Sequence, residues 1–461
     1  MTSERYLDED LSQYPQEKHS GNGRHSFADV ERIRVDVQEE SGVKSLLREA
    51  YQHLHLPIAV TECHLHCTRD EQMRWFNQMW QIVHELKEEG IDIRAITAWA
   101  LFGTYGWDKL MLEPGGTYET GAFKVTNGYP QPTAFAKMLQ ALTAGKTFQH
   151  PSLLNKGWWQ RNIRFSYGHP EALSIVDTKL GLKGKPILIV GEEGVLSEGF
   201  QHICYERNLP FVFIATDNIA STQKAKALLQ RHNPWTVITI TGYNKKSGAK
   251  EEQESTKLLT TLASACLEMG IPFTRFSPEP TTKEAGKLLY ASDNQFSSLR
   301  ICEAQETVTE KQILSINPHA LLIRTGHLFS PWDENGRFNR AIEHLQQQEQ
   351  VMVDSNCYTS FAYVPDVVHI GLDWMMDEET GVFSMNNAYH VSETYIVTQL
   401  ARLLQNDMQL VVEEFQKRNP QHSVQLLPFA KRIKLPHLEN ALQRYAETVL
   451  ELSREINAVS I

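Results

Sequence analysis

Residues 186–200, Pro186-Ile187-Leu188-Ile189-Val190-Gly191-Glu192-Glu193-Gly194-Val195-Leu196-Ser197-Glu198-Gly199-Phe200, constrain the fold more than any other stretch. A short apolar run breaks into a glycine turn, and helix-compatible residues follow. This order predicts a parallel strand that hands the chain to a helix N-terminus. In a doubly wound α/β domain such a junction leaves backbone N–H groups free, and the pyrophosphate of a dinucleotide would sit on them. The same rhythm continues downstream, with strands predicted at 211–215, 235–240, 271–276 and 321–325 and helices near 223–232 and 255–269. Apolar runs separated by helical segments call for a parallel sheet covered on both faces. Residues 184–461 are therefore expected to form a Rossmann-like, doubly wound α/β domain.

What precedes this region reads differently. Residues 1–40 are polar and lack a period, as a loop or extended arm would. Residues 41–55 predict a helix, with Val43, Leu46, Leu47 and Tyr51 at helical spacing. An apolar run then ends at the carboxylate of Glu62. Thr68 followed by Glu71 fits a capping box, and Trp75, Met79, Ile82, Val83 and Leu86 make one helical face that Gly90 ends. A second strand runs from 91 to 103 with Trp99 near its end, and a last helix is predicted at 132–143. Residues 146–183, with Trp158 and Trp159, are read as a linker whose tryptophans pack between domains. Residues 1–145 form a β/α region of their own.

A net charge of -11 argues against a nucleic-acid partner, because affinity for phosphate backbones comes from clustered Lys and Arg. No run approaches the roughly 18 uninterrupted apolar residues of a membrane span. The acidic start of the chain lacks the pattern of a signal peptide, so a soluble, cytoplasmic protein is expected. Six cysteines in 461 residues make no disulfide framework. The cluster Glu62-Cys63-His64-Leu65-His66-Cys67 holds five potential ligands, but its spacing departs from structural zinc patterns and alternate strand residues face apart. No metal is expected.

Pro57-Ile58-Ala59-Val60-Thr61-Glu62, the helix after it, and Thr97-Ala98-Trp99 through Trp107 resemble the last two strand–helix units of a family 1 glycoside hydrolase barrel. The resemblance covers about 15–145. It implies that Glu62 stands at the nucleophile position and that Trp99 and Trp107 line a sugar subsite. Only 61 residues precede Glu62, whereas such a barrel takes about 250 residues in all, so a partial barrel is expected. Hydrolysis also needs a second carboxylate, about 5–5.5 Å away for retention. Descent from a hydrolase is therefore favoured over present hydrolysis.

The second region resembles the dTDP-4-dehydrorhamnose reductase group of extended short-chain dehydrogenases from about 184 to 447. The landmarks are the glycine turn, Pro234-Trp235, Gly242-Tyr243, Gly270-Ile271-Pro272-Phe273, Arg324-Thr325, Pro331-Trp332-Asp333, Tyr363-Val364-Pro365-Asp366 and Leu435 through Tyr445. The resemblance implies a small substrate lobe beside the Rossmann-like sheet, a sugar-nucleotide substrate, NAD(P) as cofactor, and cofactor contacts at Gly191, Gly194 and the Ser197 position. It further implies a Tyr that protonates the carbonyl and a Lys, four residues on, that lowers the Tyr pKa and holds the ribose. Cys302 and Glu306 stand at those two positions. Ser277, followed by Pro278, is the candidate carbonyl polariser.

Other positions also depart from the pattern. Ser197 replaces a third glycine, Glu192 and Glu193 add negative charge beside the expected pyrophosphate, and Thr216 stands where an Arg often favours NADP. Asp366 is read as a helix cap. The charged run around Lys431–Lys434 is read as a solvated surface in preference to an anion site, with a sugar diphosphate held by Arg324 and Lys434 as the alternative. Three functions are weighed: an active NAD(P)H-dependent sugar-nucleotide reductase, a degenerate reductase that binds a sugar nucleotide or another protein without hydride transfer, and a remnant hydrolase using Glu62. The second is favoured.

Overall fold

The computed structural model describes residues 5–8, 11–13, 19–21, 24–31, 42–65, 68–106, 116–126, 129–157, 159, 182–215, 222–243, 249–279, 305–354, 358–406, 408–414 and 431–459. The chain divides into two compact units, one of residues 1–104 and 119–184, the other of residues 105–118 and 185–461. Among the described residues no helix is long and apolar enough to cross a membrane.

The first unit contains α1 (Val43–Leu54), β1 (Ile58–Cys63), α2 (Arg69–Glu88), β2 (Ile93–Ala98) and α3 (Ala134–Thr143). β1 and β2 pair in parallel, as a strand–helix–strand unit requires. Val83, Leu86, Ile91 and Ile93 form the core beneath them, with Leu47, Tyr51, Ile58 and Val60 packed against it. Among the described residues, β1 and β2 pair only with each other, and no barrel wall extends from them. The N-terminal arm is more structured than its sequence suggests: Arg5–Asp8, His19–Gly21 and Ser26–Glu31 make a small antiparallel sheet. Backbone pairing needs no apolar period, and so left no signal there.

Two local expectations in this unit change. Thr68 is the N-cap of α2, but its side chain makes no capping bond and instead donates to Asp70 Oδ1 at 2.8 Å. Asp70 also pairs with Arg74 at 3.0 Å in a buried i,i+4 contact. Trp159, expected between domains, meets Trp75 edge-on at 5.1 Å and donates to Gln78 Oε1 at 2.6 Å, within the first unit.

The second unit is a doubly wound domain. Its strands are β3 (Ile187–Gly191), β4 (Phe211–Ala215), β5 (Thr236–Ile240), β6 (Phe273–Pro278), β7 (Leu321–Thr325), β10 (Gly381–Asn386) and β12 (Lys431–Lys434). They form one parallel sheet in the order β4-β3-β5-β6-β7-β10-β12. Helices α4 (Val195–Glu206), α5 (Thr222–His232), α6 (Ala249–Glu268), α7 (Gln305–Ile316) and α9 (Val364–Met376) cover it. One face packs Leu188, Val190, Val237, Phe273 and Leu322 against Leu229, Leu262 and Ile313. On the other, Phe276 meets Phe200 of α4 at 5.1 Å. The order of β3, β4 and β5 reverses the direction of winding at β3. That reversal opens a crevice beyond the carboxyl ends of β3 and β5, where open α/β sheets bind their ligands.

Two glycines make this packing feasible. A Cβ at Gly191 would lie 2.3 Å from the carbonyl oxygen of Ile240 on the neighbouring strand, and one at Gly199 would lie 2.3 Å from Val364 Cγ1 on α9. Both contacts are far inside van der Waals range, so glycine lets strand approach strand and helix approach helix.

The remaining elements build a smaller lobe: β8 (His327–Phe329), α8 (Arg337–Gln346), β9 (Tyr358–Tyr363), β11 (Ala388–Ser392), α10 (Glu393–Leu403) and α11 (Leu438–Val459). Its core joins Phe329, Phe338, Ile342, Phe361, Leu400 and Tyr445. Asp366 makes no cap for α9. Its carboxylate instead receives both guanidinium nitrogens of Arg444, at 2.8 and 2.9 Å, and Asn387 Nδ2 at 2.7 Å, tying α9 to α11. The Arg444 guanidinium on α11 carries a full positive charge and meets both carboxylate oxygens at once, which a single local amide does not.

Candidate functional site

A cavity of about 290 Å³ opens at the carboxyl ends of β3, β5, β6 and β7. The glycine turn forms one wall, Tyr243, Pro278 and Glu279 a second, and the segments around Thr325–Leu328 and Thr359–Ser360 a third. Tyr243 Oη bonds Thr325 Oγ1 at 2.9 Å, and Glu279 N–H donates to Thr325 O at 2.7 Å, so the rim of the sheet is cross-braced. Glu279 Oε1 accepts from Asn386 Nδ2 at 2.9 Å and from Ser384 Oγ, while its Oε2 is buried without a donor among the described residues. Tyr243, Thr325 and Glu279 were not singled out as site residues from sequence. Each lies at the end of a predicted strand or within three residues after it, and that position was the available signal.

The residues expected to cradle a pyrophosphate are together here, but two amides of the crevice, those of Gly194 and Gly242, are engaged. Ser197 Oγ accepts the Gly194 N–H at 2.9 Å and donates back to Gly194 O at 2.8 Å. Ser197 thus closes the helix cap from inside the first turn. Glu192 Oε1 accepts the Gly242 N–H at 3.2 Å, from the loop after β5. Glu192, Glu193 and Glu279 all line the cavity. A dinucleotide pyrophosphate would bring further negative charge into this set. Unit charges about 4 Å apart repel by about 1 kcal/mol in water and about 4 kcal/mol near a protein surface. The residues present therefore do not fit NAD(P) at its phosphates.

The same negative field shows in the titration of α4. The Glu198 carboxyl is held above its ordinary range, first by burial and then by Asp333, Glu334 and Glu193 nearby. Asp333 is raised as well, by burial, against the opposing pull of Arg340. A raised folded-state pKa means that the native protein holds the proton more tightly than the unfolded chain does. The stabilisation is complete below the ordinary value of 4.5 and is lost as pH rises through the raised one. Glu198→Gln is accordingly expected to melt at a higher temperature than wild type at neutral pH, with the gap closing on acidification. Paired thermal melts across that range check it.

Other candidate residues are placed as follows. Ser277 is 1% exposed and lies opposite Arg324 in the β6–β7 register, on the face that meets α7, away from the cavity. Pro278, opposite Thr325, faces the cavity in its stead. Arg324 does not reach toward a sugar diphosphate. Its Nε donates to Glu310 Oε1 at 2.9 Å and its Nη2 to Oε2, with both side chains buried. An arginine on the covered face of a sheet must find a carboxylate there, and α7 supplies one. Lys434 lies over the Tyr105 ring, 5.0 Å from its centroid, and its carbonyl accepts the Tyr105 hydroxyl. Burial pushes the Tyr105 phenol pKa up. Cys302, Thr216 and the side chain of Glu306 lie outside the described residues.

In the first unit, Glu62 is exposed at the end of β1, in the left-handed region at φ 55°, next to an irregularity in the β1–β2 pairing. Its N–H donates to Thr97 Oγ1 at 3.0 Å. His64 donates from Nδ1 to Trp99 O at 3.1 Å, bonds Glu119 through Nε2 and stacks on the Trp99 ring at 5.8 Å. Trp99 is thus braced at the strand end, while Trp107 lies outside the described residues. Cys63 is buried, and its thiol is pushed up to about 12 by desolvation. No metal-holding group of His, Cys, Asp and Glu occurs among the described residues; His66 and Cys67 lie outside them.

Comparison with known proteins gives three results. No curated protein matches the chain. Among solved structures it is similar to a dTDP-4-dehydrorhamnose reductase from Clostridium acetobutylicum ATCC 824, at 16% identity and TM-score 0.44, covering 57% of this chain and 99% of that one. It is also similar to a dTDP-4-dehydrorhamnose reductase from Bacillus anthracis str. Ames in complex with NADP, at 15% identity and TM-score 0.43 over 57% and 98%. A GDP-L-fucose synthetase from Naegleria fowleri bound to NADP is similar at 11% identity and TM-score 0.42 over 59% and 95%. The RmlD substrate binding domain model matches residues 185–444. That span is more than half of the chain and takes in the parallel sheet, the cavity and most of the smaller lobe, so the chain belongs to the RmlD substrate-binding-domain family.

Proposed function

We propose that the second unit is a sugar-nucleotide-binding module of reductase ancestry that recognises its ligand without transferring hydride. The observation that carries this reading is the rim of β6: Pro278 faces the cavity and Ser277 is turned to the opposite face. A proline side chain offers no hydrogen-bond donor, so a ketone lying against it would not be polarised. The resemblance to the reductases puts Cys302 and Glu306 at the Tyr and Lys positions, where a carboxylate supplies none of the positive charge that lowers a phenol's pKa. The smaller lobe keeps a recess of about 340 Å³ lined by Asn387, Ser392, Tyr395, His437 and Glu439, polar groups of the kind that hold sugar hydroxyls. For the first unit we propose hydrolase-like descent without glycoside cleavage, since Glu62 stands exposed on a sheet that has two strands among the described residues.

The test supplies NADPH and a nucleotide-linked 4-keto sugar and follows nicotinamide absorbance, with calorimetric titration of the sugar nucleotide alongside. A measurable heat of binding with no NADPH oxidation is expected. Enzyme-dependent oxidation would return the protein to the active NAD(P)H-dependent reductases, and absence of any binding heat would remove the sugar nucleotide as ligand.

A further inference from the structure

The cavity described above combines two features that a dinucleotide site does not tolerate together. One is the concentration of negative charge: Glu192, Glu193 and Glu279 line the space, and Glu198, Asp333 and Glu334 lie close to the first turn of α4. The other is hydrogen-bond bookkeeping. An anion at a helix N-terminus is held by backbone N–H groups that have no partner of their own. Here the N-cap amide, that of Gly194, is taken by Ser197, and the facing amide, that of Gly242, is taken by Glu192.

From this we infer that Glu192 is a built-in anion: its carboxylate, bonded to the Gly242 amide across the crevice between β3 and β5, keeps a dinucleotide pyrophosphate out of the cavity. Glu192 is suited to this because its backbone is also fixed, its N–H donating to Ile240 O at 3.0 Å. Main chain and side chain together bind the glycine turn to the end of β5. A phosphate entering the crevice would have to displace a carboxylate that is covalently part of the site. Glu193 and Glu279, which line the same cavity, add acidic residues around it.

The inference deepens the proposed function by giving a cause for the lack of hydride transfer that precedes the missing proton donor: the hydride carrier does not enter. The two fail separately. A wild-type protein that binds NADPH without oxidising it would overturn the inference and leave the binding reading intact, whereas oxidation would overturn both.

The test is titration of the whole chain with NADPH, read by nicotinamide fluorescence and calorimetry, for wild type, Glu192→Ala and Glu192→Gln. Circular dichroism and thermal melts report whether each variant is folded. Wild type is expected to show no saturation up to millimolar NADPH. Glu192→Ala, which removes the charge and frees the Gly242 amide, is expected to bind at least about tenfold more tightly than the wild-type limit, the effect of roughly 1.4 kcal/mol. Glu192→Gln, which removes the charge and keeps an acceptor on the amide, is expected to gain less. Saturable wild-type binding at micromolar NADPH overturns the inference, as does a folded Glu192→Ala that binds no better than wild type. Should Glu192→Ala not fold, Glu192→Gln decides: a gain supports the built-in anion, and no gain overturns it.

Discussion

Arg324→Ala is expected to destabilise the second unit by about 3–5 kcal/mol. The guanidinium and the Glu310 carboxylate form a two-bond pair in which both side chains are almost completely buried. Removing the arginine leaves a carboxylate in a low-dielectric layer with its main partner gone, and that uncompensated desolvation dominates the loss. Glu310→Gln should cost a comparable amount from the other side. Replacing both, as Arg324→Met with Glu310→Leu, should recover most of it, because an apolar pair of similar size needs no charge compensation. Urea unfolding followed by hydrogen exchange of the β7 amides measures all three. If the single variants lose less than about 1 kcal/mol, the size of an exposed pair, the placement of Arg324 on the covered face is refuted.

Gly191→Ala is the second large effect expected, about 1–3 kcal/mol. Its Cβ would fall 2.3 Å from a backbone carbonyl on β5, which cannot rotate away, so the β3–β5 pairing must spread. This separates two reasons for a glycine at this turn. If Gly191 served only to admit a phosphate, alanine there would alter ligand binding and spare stability. If it serves the sheet, stability falls with no ligand present. Comparison with Ser197→Gly sharpens the contrast, because Ser197 contributes a cap bond worth roughly 1 kcal/mol. Melting temperatures of the three proteins without added nucleotide are sufficient.

The doubly wound domain was legible in sequence because its strands are short apolar runs and the helices between them carry their own period. Phe211–Ala215, Thr236–Ile240 and Leu321–Thr325 emerge within a residue of the expected limits. The small N-terminal sheet was not legible, since its pairing is carried by backbone groups common to every residue. Thr68 and Asp366 were read as caps from local spacing alone, whereas their actual bonds go to Asp70 and to Arg444, the latter 78 residues away. Sequence spacing reports which local bond is available, and the folded chain takes the stronger one on offer.

The candidate site divides in the same manner. By itself the sequence determined that residues 184–461 would hold a parallel α/β domain with a glycine turn at the end of its first strand, because periodicity and turn chemistry are local properties of the chain. It also placed Glu192 and Glu193 beside that turn. Only the tertiary structure decided which face of β6 and β7 each residue meets, and hence that Pro278 looks into the cavity while Ser277 and Arg324 look away. Only the tertiary structure brought the Glu192 carboxylate to the Gly242 amide, 50 residues on. The physical reason is common to both cases. Facing and partnership depend on strand register and helix packing across long separations, and no window of sequence contains them.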